Sequence, residues 1–226
     1  GLARPGAISL AHHGVLFLDE VPEFGSRALE ALRQPLEHGR VMIRRTAGGT
    51  EFPARVQLVI AANPCPCARP GGDLYCQCTP LAKSRYLGRL SGPLLDRIDV
   101  QITLLPVRSA ELTEIAAATE SSAAVAERVA KARAAAGARW SAYGWKLNAE
   151  VPGPEMRRRP WRLPRADTTD LRARLDSGSL SARGFDRILR MAWTMADLDG
   201  RDRPDRDDVN EAAQLRSNST PAAADA

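Results

Sequence analysis

Two adjacent carboxylates, Asp19 and Glu20, directly follow four apolar residues, Val15 to Leu18, in the stretch GVLFLDE. A short unbroken apolar run is typical of a strand buried on both faces of a parallel sheet. Ligands of open α/β sheets bind at the carboxyl ends of such strands. In nucleotide hydrolases, an Asp at this place holds Mg²⁺ and the next Glu orients and deprotonates the attacking water. Taken alone, the stretch is equally compatible with a buried strand that ends in two solvated acids.

All four cysteines of the chain lie close together, as two C-x-C pairs separated by eight residues: Cys65, Cys67, Cys76 and Cys78. Such a cluster is one local device and not a fold-wide disulfide framework. Four thiolates can close a tetrahedral zinc site, and a Gly/Pro-rich loop with little apolar content needs a metal to order it. The alternative is four reduced cysteines in a surface loop, which would be redox liabilities. We expect one structural Zn²⁺ and a cytoplasmic chain, where clustered cysteines bind metal more often than they form disulfides.

A second strand-like run, Val56 to Ala62, ends at Asn63. A polar amide at the end of a strand, beside another strand ending in Asp-Glu, suits a residue that senses the γ-phosphate of a nucleotide. A turn-forming Asn before Pro64 is the alternative.

A helix and a hairpin are expected between these two runs. Ser26 can cap a helix from Arg27 to His38, Pro35 should bend its last turn, and Gly39 can end it. Residues 41–55 then predict a β-hairpin with a glycine tip. Arg44 and Arg45 lie near that tip, either as a finger that touches a polyanion or as charges that protect a solvated edge.

Composition sets the broader limits. The chain has 226 residues and a formal charge of +5, which is compatible with a nucleic-acid partner. No apolar run is long enough to span a bilayer and no signal peptide is visible, so no membrane partner is expected. The chain begins at Gly1 in the middle of a pattern, and we interpret it as a piece of a longer protein.

The remaining residues predict one more strand and then helices. After a basic helix at 81–90 and a strand at 100–107, Ala content rises and buried-strand patterns cease. Helices are predicted at 111–118, 121–136, 170–175, 181–198 and 205–216, with a Pro-rich connector at 148–165. The second half is therefore expected to be a small helical domain.

Five ordered motifs resemble the magnesium-chelatase-like AAA+ proteins of bacteria, the ComM/YifB family. They read RPGAISLAHHGVLFLDEVPEF, ALRQPLEHGRVMIRR, AANPCPC, GRLSGPLLDRIDV and LSARGFDRILRMAWTMADLDG. The resemblance implies an α/β fold, in which part of an AAA+ parallel-sheet core is followed by an all-α lid domain. The implied core covers 1–108, with the pre-sensor-1 hairpin at 41–55 and the four-cysteine loop at 65–78. The implied lid covers 109–216, and a disordered tail covers 217–226.

The resemblance also implies roles for single residues. Asp19 and Glu20 match the Walker B acids, which bind Mg-ATP and activate water. Asn63 matches sensor 1, and Arg97 in LLDRID matches the arginine finger that reaches the nucleotide of a neighbouring subunit. Arg183 in LSAR matches the sensor 2 arginine. Phosphoryl transfer gathers negative charge on the γ-phosphate oxygens, which Mg²⁺ and Arg groups stabilise.

One element of the family is missing, because no G-x-x-x-x-G-K-[ST] occurs in the sequence. The phosphate-cradling loop is expected upstream, so this piece is not expected to hydrolyse ATP by itself. The whole protein is expected to be a ring-forming ATPase, a hexamer, that needs ATP and Mg²⁺. It would act on DNA as a helicase in branch migration during natural transformation. The alternatives are the motor subunit of a magnesium chelatase and a catalytically idle ring scaffold.

Overall fold

The computed structural model describes residues 3–45, 48–69, 75–105 and 120–217. The chain divides into two units, 1–98 and 99–226. The first is a mixed α/β unit and the second is helical. The α/β fold with a small parallel sheet and a helical C-terminal region is therefore confirmed.

The first unit is built on two parallel strands, β1 (Val15–Leu18) and β4 (Gln57–Ile60). They are in register from Val15 beside Gln57 to Leu18 beside Ile60. Leu18 and Ile60 pack on a core of Val21, Leu29 and Leu94. The two strands predicted to carry polar residues at their ends are thus neighbours in one sheet.

The expectation that the first strand is buried on both faces was wrong for the described residues. Val15 is 59% exposed and Phe17 is 57% exposed, whereas Leu16 and Leu18 are partly buried. Successive side chains of a strand point to opposite faces of the sheet. The described helices of this unit cover the face of Leu18 and leave the face of Phe17 open.

The helix predicted from Arg27 to His38 is two helices, α2 (Ser26–Ala31) and α3 (Arg33–His38). The break comes one turn before Pro35, because Pro35 has no N–H to donate to Ala31 and its ring crowds that carbonyl. Gly39 ends α3 in the left-handed region, at φ 68°, as a C-terminal glycine commonly does.

The hairpin consists of β2 (Arg40–Arg45) and β3 (Gly48–Pro53), paired antiparallel. Three further short helices belong to this unit: α1 (Ala7–Leu10), α4 (Pro80–Leu87) and α5 (Gly92–Leu95). Thr79 and Ser91 cap α4 and α5 with their side-chain oxygens. The helix predicted at 81–90 therefore starts one residue earlier and ends at Leu87.

The strand predicted at 100–107 does not form at 100–105, and 106–107 lie outside the described residues. A strand needs a neighbouring backbone to satisfy its N–H and C=O groups. Here the Gln101 N–H instead donates to the Leu215 carbonyl, and Ile102, Leu104 and Leu105 are exposed. The helix predicted at 111–118 lies outside the described residues.

The second unit contains five described α-helices around one core. They are α6 (Ser122–Trp140), α7 (Gly153–Met156), α8 (Thr169–Asp176), α9 (Ala182–Leu198) and α10 (Arg206–Ser217). Residues 148–165 are more than the predicted connector, because they include α7 and bury Val151, Met156 and Leu163 in this core. Ser217, assigned to a disordered tail, is helical, and 218–226 lie outside the described residues.

A buried polar network joins α6 to α9. The guanidinium of Arg139 pairs with Asp197, whose side chain is 1% exposed. Asn148 donates to Asp197 at 2.8 Å and accepts from the Trp140 indole at 2.7 Å. The buried carboxylate of Asp197 therefore has both an ion-pair partner and a hydrogen-bond partner, as a buried charge requires. Next to this network the aromatic rings of Trp140, Tyr143, Trp145, Trp161 and Trp193 contact one another.

Candidate functional site

The polar residues that follow the two parallel strands meet at one edge of the sheet. Asp19 and Glu20 follow β1, and Asn63 follows β4. Beyond the strands the pairing continues, because Ala61 donates to the Leu18 carbonyl and Val21 donates to the Ala61 carbonyl, both at 2.9 Å. This continued ladder fixes the two strand ends beside each other. The carboxyl edge of a parallel sheet is where α/β folds bind ligands.

The backbone turns sharply at the second acid. Glu20 has φ 49° and ψ 41°, a left-handed conformation that costs a non-glycine residue about 1–2 kcal/mol. Its N–H donates to Asp19 Oδ1 at 2.9 Å, and both residues are exposed. The next two residues, Val21 and Pro22, are buried. The burial of Val21 and Pro22 holds the strained turn in place. This turn keeps the carboxylates of Asp19 and Glu20 in solvent at the end of β1.

Helix α4 supports this edge through Tyr86, which is 4% exposed. Its hydroxyl is hydrogen-bonded by the backbone of Asn63. Burial, with the nearby charges of Glu23 and Glu20, raises the pKa of Tyr86 above its usual value, so the phenol stays neutral. The sequence did not single out Tyr86. It predicted only that this part of the chain is a basic helix.

Arg89, just after α4, ties down the loop that follows Glu20. Its Nη1 donates to the Pro22 carbonyl at 2.9 Å and lies 3.2 Å from a Glu23 carboxylate oxygen. The loop is therefore held from inside by Val21 and from outside by Arg89. The role of Arg89 could not be predicted from the sequence, because its partners lie more than sixty residues away in the chain.

Arg97 belongs to the same unit but makes its contacts elsewhere. Its side chain is 9% exposed and its Nη2 lies 2.5 Å from a carboxylate oxygen of Glu37 on α3. Its Nη1 donates to the Pro93 carbonyl at 2.7 Å. Within this chain, Arg97 is thus held by an ion pair. Arg183 lies in the other unit, exposed in the first turn of α9, where Ser181 caps the helix.

The four cysteines converge. The sulfur of Cys65 lies 3.1 Å from that of Cys67 and 3.4 Å from that of Cys76. All four sulfurs, including that of Cys78, lie within 4.8 Å of one another. A tetrahedral zinc with bonds of about 2.3 Å places its sulfurs about 3.8 Å apart. The cluster therefore has the dimensions of a four-sulfur metal site, although residues 70–74 of the loop are outside the described residues.

Two thiols of this cluster have pKa values shifted in opposite directions. A backbone hydrogen bond from Arg69 and contacts with neighbouring thiols lower the pKa of Cys67. Burial and hydrogen bonds with Cys67 and Cys76 raise the pKa of Cys78 to about 12. One thiolate is thus favoured at the expense of another. A bound divalent cation would reverse this balance, because coordinating thiols are deprotonated.

The hairpin has different charges at its base and near its tip. At the base, Arg40 pairs with Glu51 at 3.3 Å. Nearer the tip, Arg44 is exposed and stands opposite Gly49, which offers no side chain to neutralise it. Arg45 stands opposite Gly48, and its side chain is outside the described residues.

Comparison with known proteins identifies both halves of the chain. The model of the magnesium chelatase subunit ChlI matches residues 2–112, and that of the ChlI C-terminal region matches residues 119–216. An uncharacterized protein of Mycobacterium tuberculosis (strain H37Rv) is 51% identical over 96% of this chain. An uncharacterized Escherichia coli K12 protein, YifB, is 42% identical over 94% of it. The competence protein ComM of Haemophilus influenzae is 42% identical over 88%.

The chain spans 42% of the length of the mycobacterial relative, 41% of YifB and 38% of ComM. Among the described residues, no helix combines the length and the apolar character needed to cross a bilayer. Two family models match in order over nearly all of the chain, and the Asp19, Glu20 and Asn63 edge has the expected α/β geometry. The chain belongs to the magnesium-chelatase-like family of the ComM/YifB type.

Proposed function

We propose that this chain is part of a ring-forming, ATP-hydrolysing motor that acts on DNA. The observation that carries the proposal is the meeting of Asp19, Glu20 and Asn63 at the carboxyl ends of two neighbouring parallel strands. This is the arrangement that α/β nucleotide hydrolases use for a metal-bound nucleotide. The name of one relative, the competence protein ComM, supports DNA as the substrate class.

Each residue has a separate task in this proposal. Asp19, exposed at the end of β1, would hold Mg²⁺, and Glu20 would take the proton of the attacking water. Asn63 would sense the γ-phosphate, while Arg97 and Arg183 would offset its charge. Mg²⁺ bound to ATP supplies electrostatic stabilisation of the transferring phosphoryl group. The exposed carboxylate pair fits a hydrated Mg²⁺, which prefers one or two carboxylates and retains waters.

Arg97 makes a ring necessary in this proposal, because its role requires the nucleotide of a neighbouring subunit. In the single chain its guanidinium is held by Glu37 and is 9% exposed. Assembly of the ring, which we propose to be a hexamer, would have to place the pair of Arg97 and Glu37 at the subunit boundary or break it so that Arg97 is exposed there.

The hairpin supports a polyanionic substrate. Arg44 is exposed, and neither it nor Arg45 has a cross-strand side chain opposite to it, since glycines occupy those places. Arg44 therefore presents its charge at the surface, with no side chain directly opposite it on the partner strand. Lys and Arg contacts to phosphates are the sequence-independent part of DNA binding, and they make binding depend on salt.

Replacing both tip arginines, Arg44→Gln and Arg45→Gln, is expected to lower the salt dependence of DNA binding. The slope of log affinity against log salt should fall by about 2, because each lost phosphate contact removes about 1. Binding of the full-length protein to forked DNA over a salt series measures this, together with ATPase rates with and without that DNA. Arg27→Gln, an exposed arginine on α2, is the matched control and should leave the slope unchanged. An unchanged slope in the double variant would remove the hairpin from the DNA interface.

The second candidate is the motor subunit of a magnesium chelatase, and it is favoured by the match of both halves of the chain to families of the chelatase subunit ChlI. The two functions differ in what stimulates the ATPase. DNA stimulation supports the ComM-type role in branch migration, whereas stimulation only by a porphyrin-inserting partner complex supports the chelatase role. An inactive full-length protein with intact nucleotide binding would support an idle ring scaffold.

We also propose that the four cysteines hold one structural Zn²⁺. Four sulfurs within 4.8 Å leave no open coordination position, so the metal would order the loop and take no part in catalysis. The loop begins directly after Asn63, so its order bears on the position of the proposed γ-phosphate sensor.

Protein purified without chelator is expected to contain about one zinc per chain. Cys65→Ser with Cys67→Ser should lose the metal, because two oxygens replace thiolates that a soft site prefers. Zinc retention should also fall as pH falls, since protons compete with the metal for thiols such as Cys78. Elemental analysis and thiol titration measure both effects. Absence of stoichiometric zinc together with four freely titrating thiols would eliminate this site.

A further inference from the structure

All three histidines of the chain line one pocket. His12, His13 and His38 line an open pocket of about 500 Å³ at the base of the hairpin, together with Arg40 and Arg55. Neither the nucleotide-site residues nor the cysteine cluster contribute to its lining. His12 and His13 precede β1 and Arg55 precedes β4, so the pocket lies at the amino ends of these parallel strands. Asp19, Glu20 and Asn63 follow the same strands, at the opposite edge of the sheet.

Hydrogen bonds fix the histidines relative to Arg55. The Arg55 N–H donates to His12 Nδ1 at 3.0 Å, so the neutral His12 ring carries its proton on Nε2 and offers a donor there. The His13 N–H donates to the Arg55 carbonyl at 2.7 Å. The two imidazole rings lie 3.9 Å apart between centroids. His38 contacts the Gln34 carbonyl through Nδ1 at 3.1 Å.

The charges of the pocket favour an anion. Arg40 is partly neutralised by Glu51, at 3.3 Å, which is the carboxylate in the lining. Arg55 forms no ion pair with any residue of the described ranges. Desolvation first, and then electrostatic interaction with His13 and with Arg55, lowers the pKa of His12. The pocket therefore disfavours a further positive charge until an anion compensates it.

A metal ion is the other ligand that three histidines suggest, and the geometry opposes it. Among the described residues, only the four cysteines bring three or more potential ligand atoms close enough for one metal. The histidine nitrogens do not converge in this way, and two guanidinium groups in the lining would repel a cation. Arg fits planar, multidentate contact with oxyanions.

We propose that this pocket binds a phosphate group, with Arg55 as its principal charge and the imidazoles of His12 and His13 as additional donors. The shared chemistry is a tetrahedral oxyanion, which either free phosphate or the backbone of a nucleic acid can supply. The site does not rest on the proposed motor function, because none of its residues belongs to the nucleotide edge or to the Arg44 and Arg45 pair.

The proposal is tested by NMR of the chain with ¹³C-labelled histidine, in which three ring signals are assigned by single substitutions. Inorganic phosphate, titrated against chloride at equal ionic strength, is expected to shift the His12 and His13 signals saturably. The pKa of His12 should be higher in phosphate than in chloride, because a bound oxyanion favours the protonated ring. Arg55→Gln should weaken phosphate binding about tenfold, whereas Arg27→Gln should leave it unchanged.

Three outcomes would overturn the proposal: equal shifts in phosphate and chloride, equal loss in the Arg27→Gln control, or full retention in Arg55→Gln. The side chain of Arg55 also packs against Gly39, because a Cβ added there would lie 2.8 Å from Arg55 Cγ. Its aliphatic part thus has a packing role besides the charge. Arg55→Lys is the second variant, because it keeps the charge and should keep most of the phosphate response.

A single-stranded oligodeoxynucleotide then distinguishes free phosphate from nucleic-acid backbone as the source of the oxyanion. Displacement of phosphate by the oligonucleotide assigns the site to nucleic-acid backbone, and failure to displace it assigns the site to free phosphate.

Discussion

Glu20→Gln in the full-length protein is expected to bind ATP normally and to turn it over about 10²–10⁴-fold more slowly, the usual contribution of a general base. Asp19 remains available for Mg²⁺, so binding is retained. Glutamine keeps the size of the side chain at a position whose backbone is left-handed, at φ 49°. The change therefore removes the proton acceptor with little change in shape.

Single-turnover ATP hydrolysis and nucleotide binding measured on the same preparation check this expectation. Glu127→Gln on α6 is the matched control: it removes the same charge from an exposed pair with Lys131 and should keep the rate. Turnover at the wild-type rate in Glu20→Gln would exclude Glu20 as the base and leave it as a solvated acid at a strand end.

Arg97→Ala is expected to abolish most ATP turnover, by about 10³–10⁵-fold, because a trans arginine stabilises charge only in the transition state. ATP binding should change little. A structural role is the alternative explanation for such a loss, because the Arg97 side chain is only 9% exposed and pairs with Glu37. Glu37→Gln breaks the same pair and leaves the arginine in place. It should reproduce the loss only if the role of Arg97 is structural.

Mixing experiments place the arginine relative to the nucleotide. Rings assembled from Arg97→Ala and Glu20→Gln subunits contain some boundaries with an intact Glu20 on one side and an intact Arg97 on the other. These boundaries should recover part of the ATPase activity that both pure rings lack. No recovery in rings shown to be mixed would mean that Arg97 does not act across the boundary.

The position of Asp19, Glu20 and Asn63 at one edge of the sheet could be predicted, because its signals are local in the sequence. An apolar run followed by Asp19 and Glu20, and another followed by Asn63, already imply neighbouring strand ends in a parallel sheet. The convergence of the cysteines likewise follows from their spacing in one loop. The residues that support this edge, Tyr86 and Arg89, could not be predicted, since they act through partners far away in the chain.

The predictions for residues 100–105 and 148–165 failed for the same physical reason. Residues 100–105 have the apolar pattern of a strand, but a strand also depends on a neighbour, and their described backbone finds α10 instead. Residues 148–165 have the Pro-rich composition of a connector, yet Val151 and Met156 are buried by α9 and its neighbours. Local composition reports what a segment prefers, whereas burial is decided by elements distant in sequence.

The aromatic cluster of the helical unit makes that unit separately visible to spectroscopy. All four tryptophans, Trp140, Trp145, Trp161 and Trp193, lie in the second unit, and residues 1–98 contain none. Fluorescence excited selectively at tryptophan therefore follows the unfolding of the helical unit alone, whereas far-ultraviolet circular dichroism sums over both units. If the two denaturation curves coincide, the α/β unit and the helical unit unfold as one cooperative body; if they separate, each unit has a stability of its own.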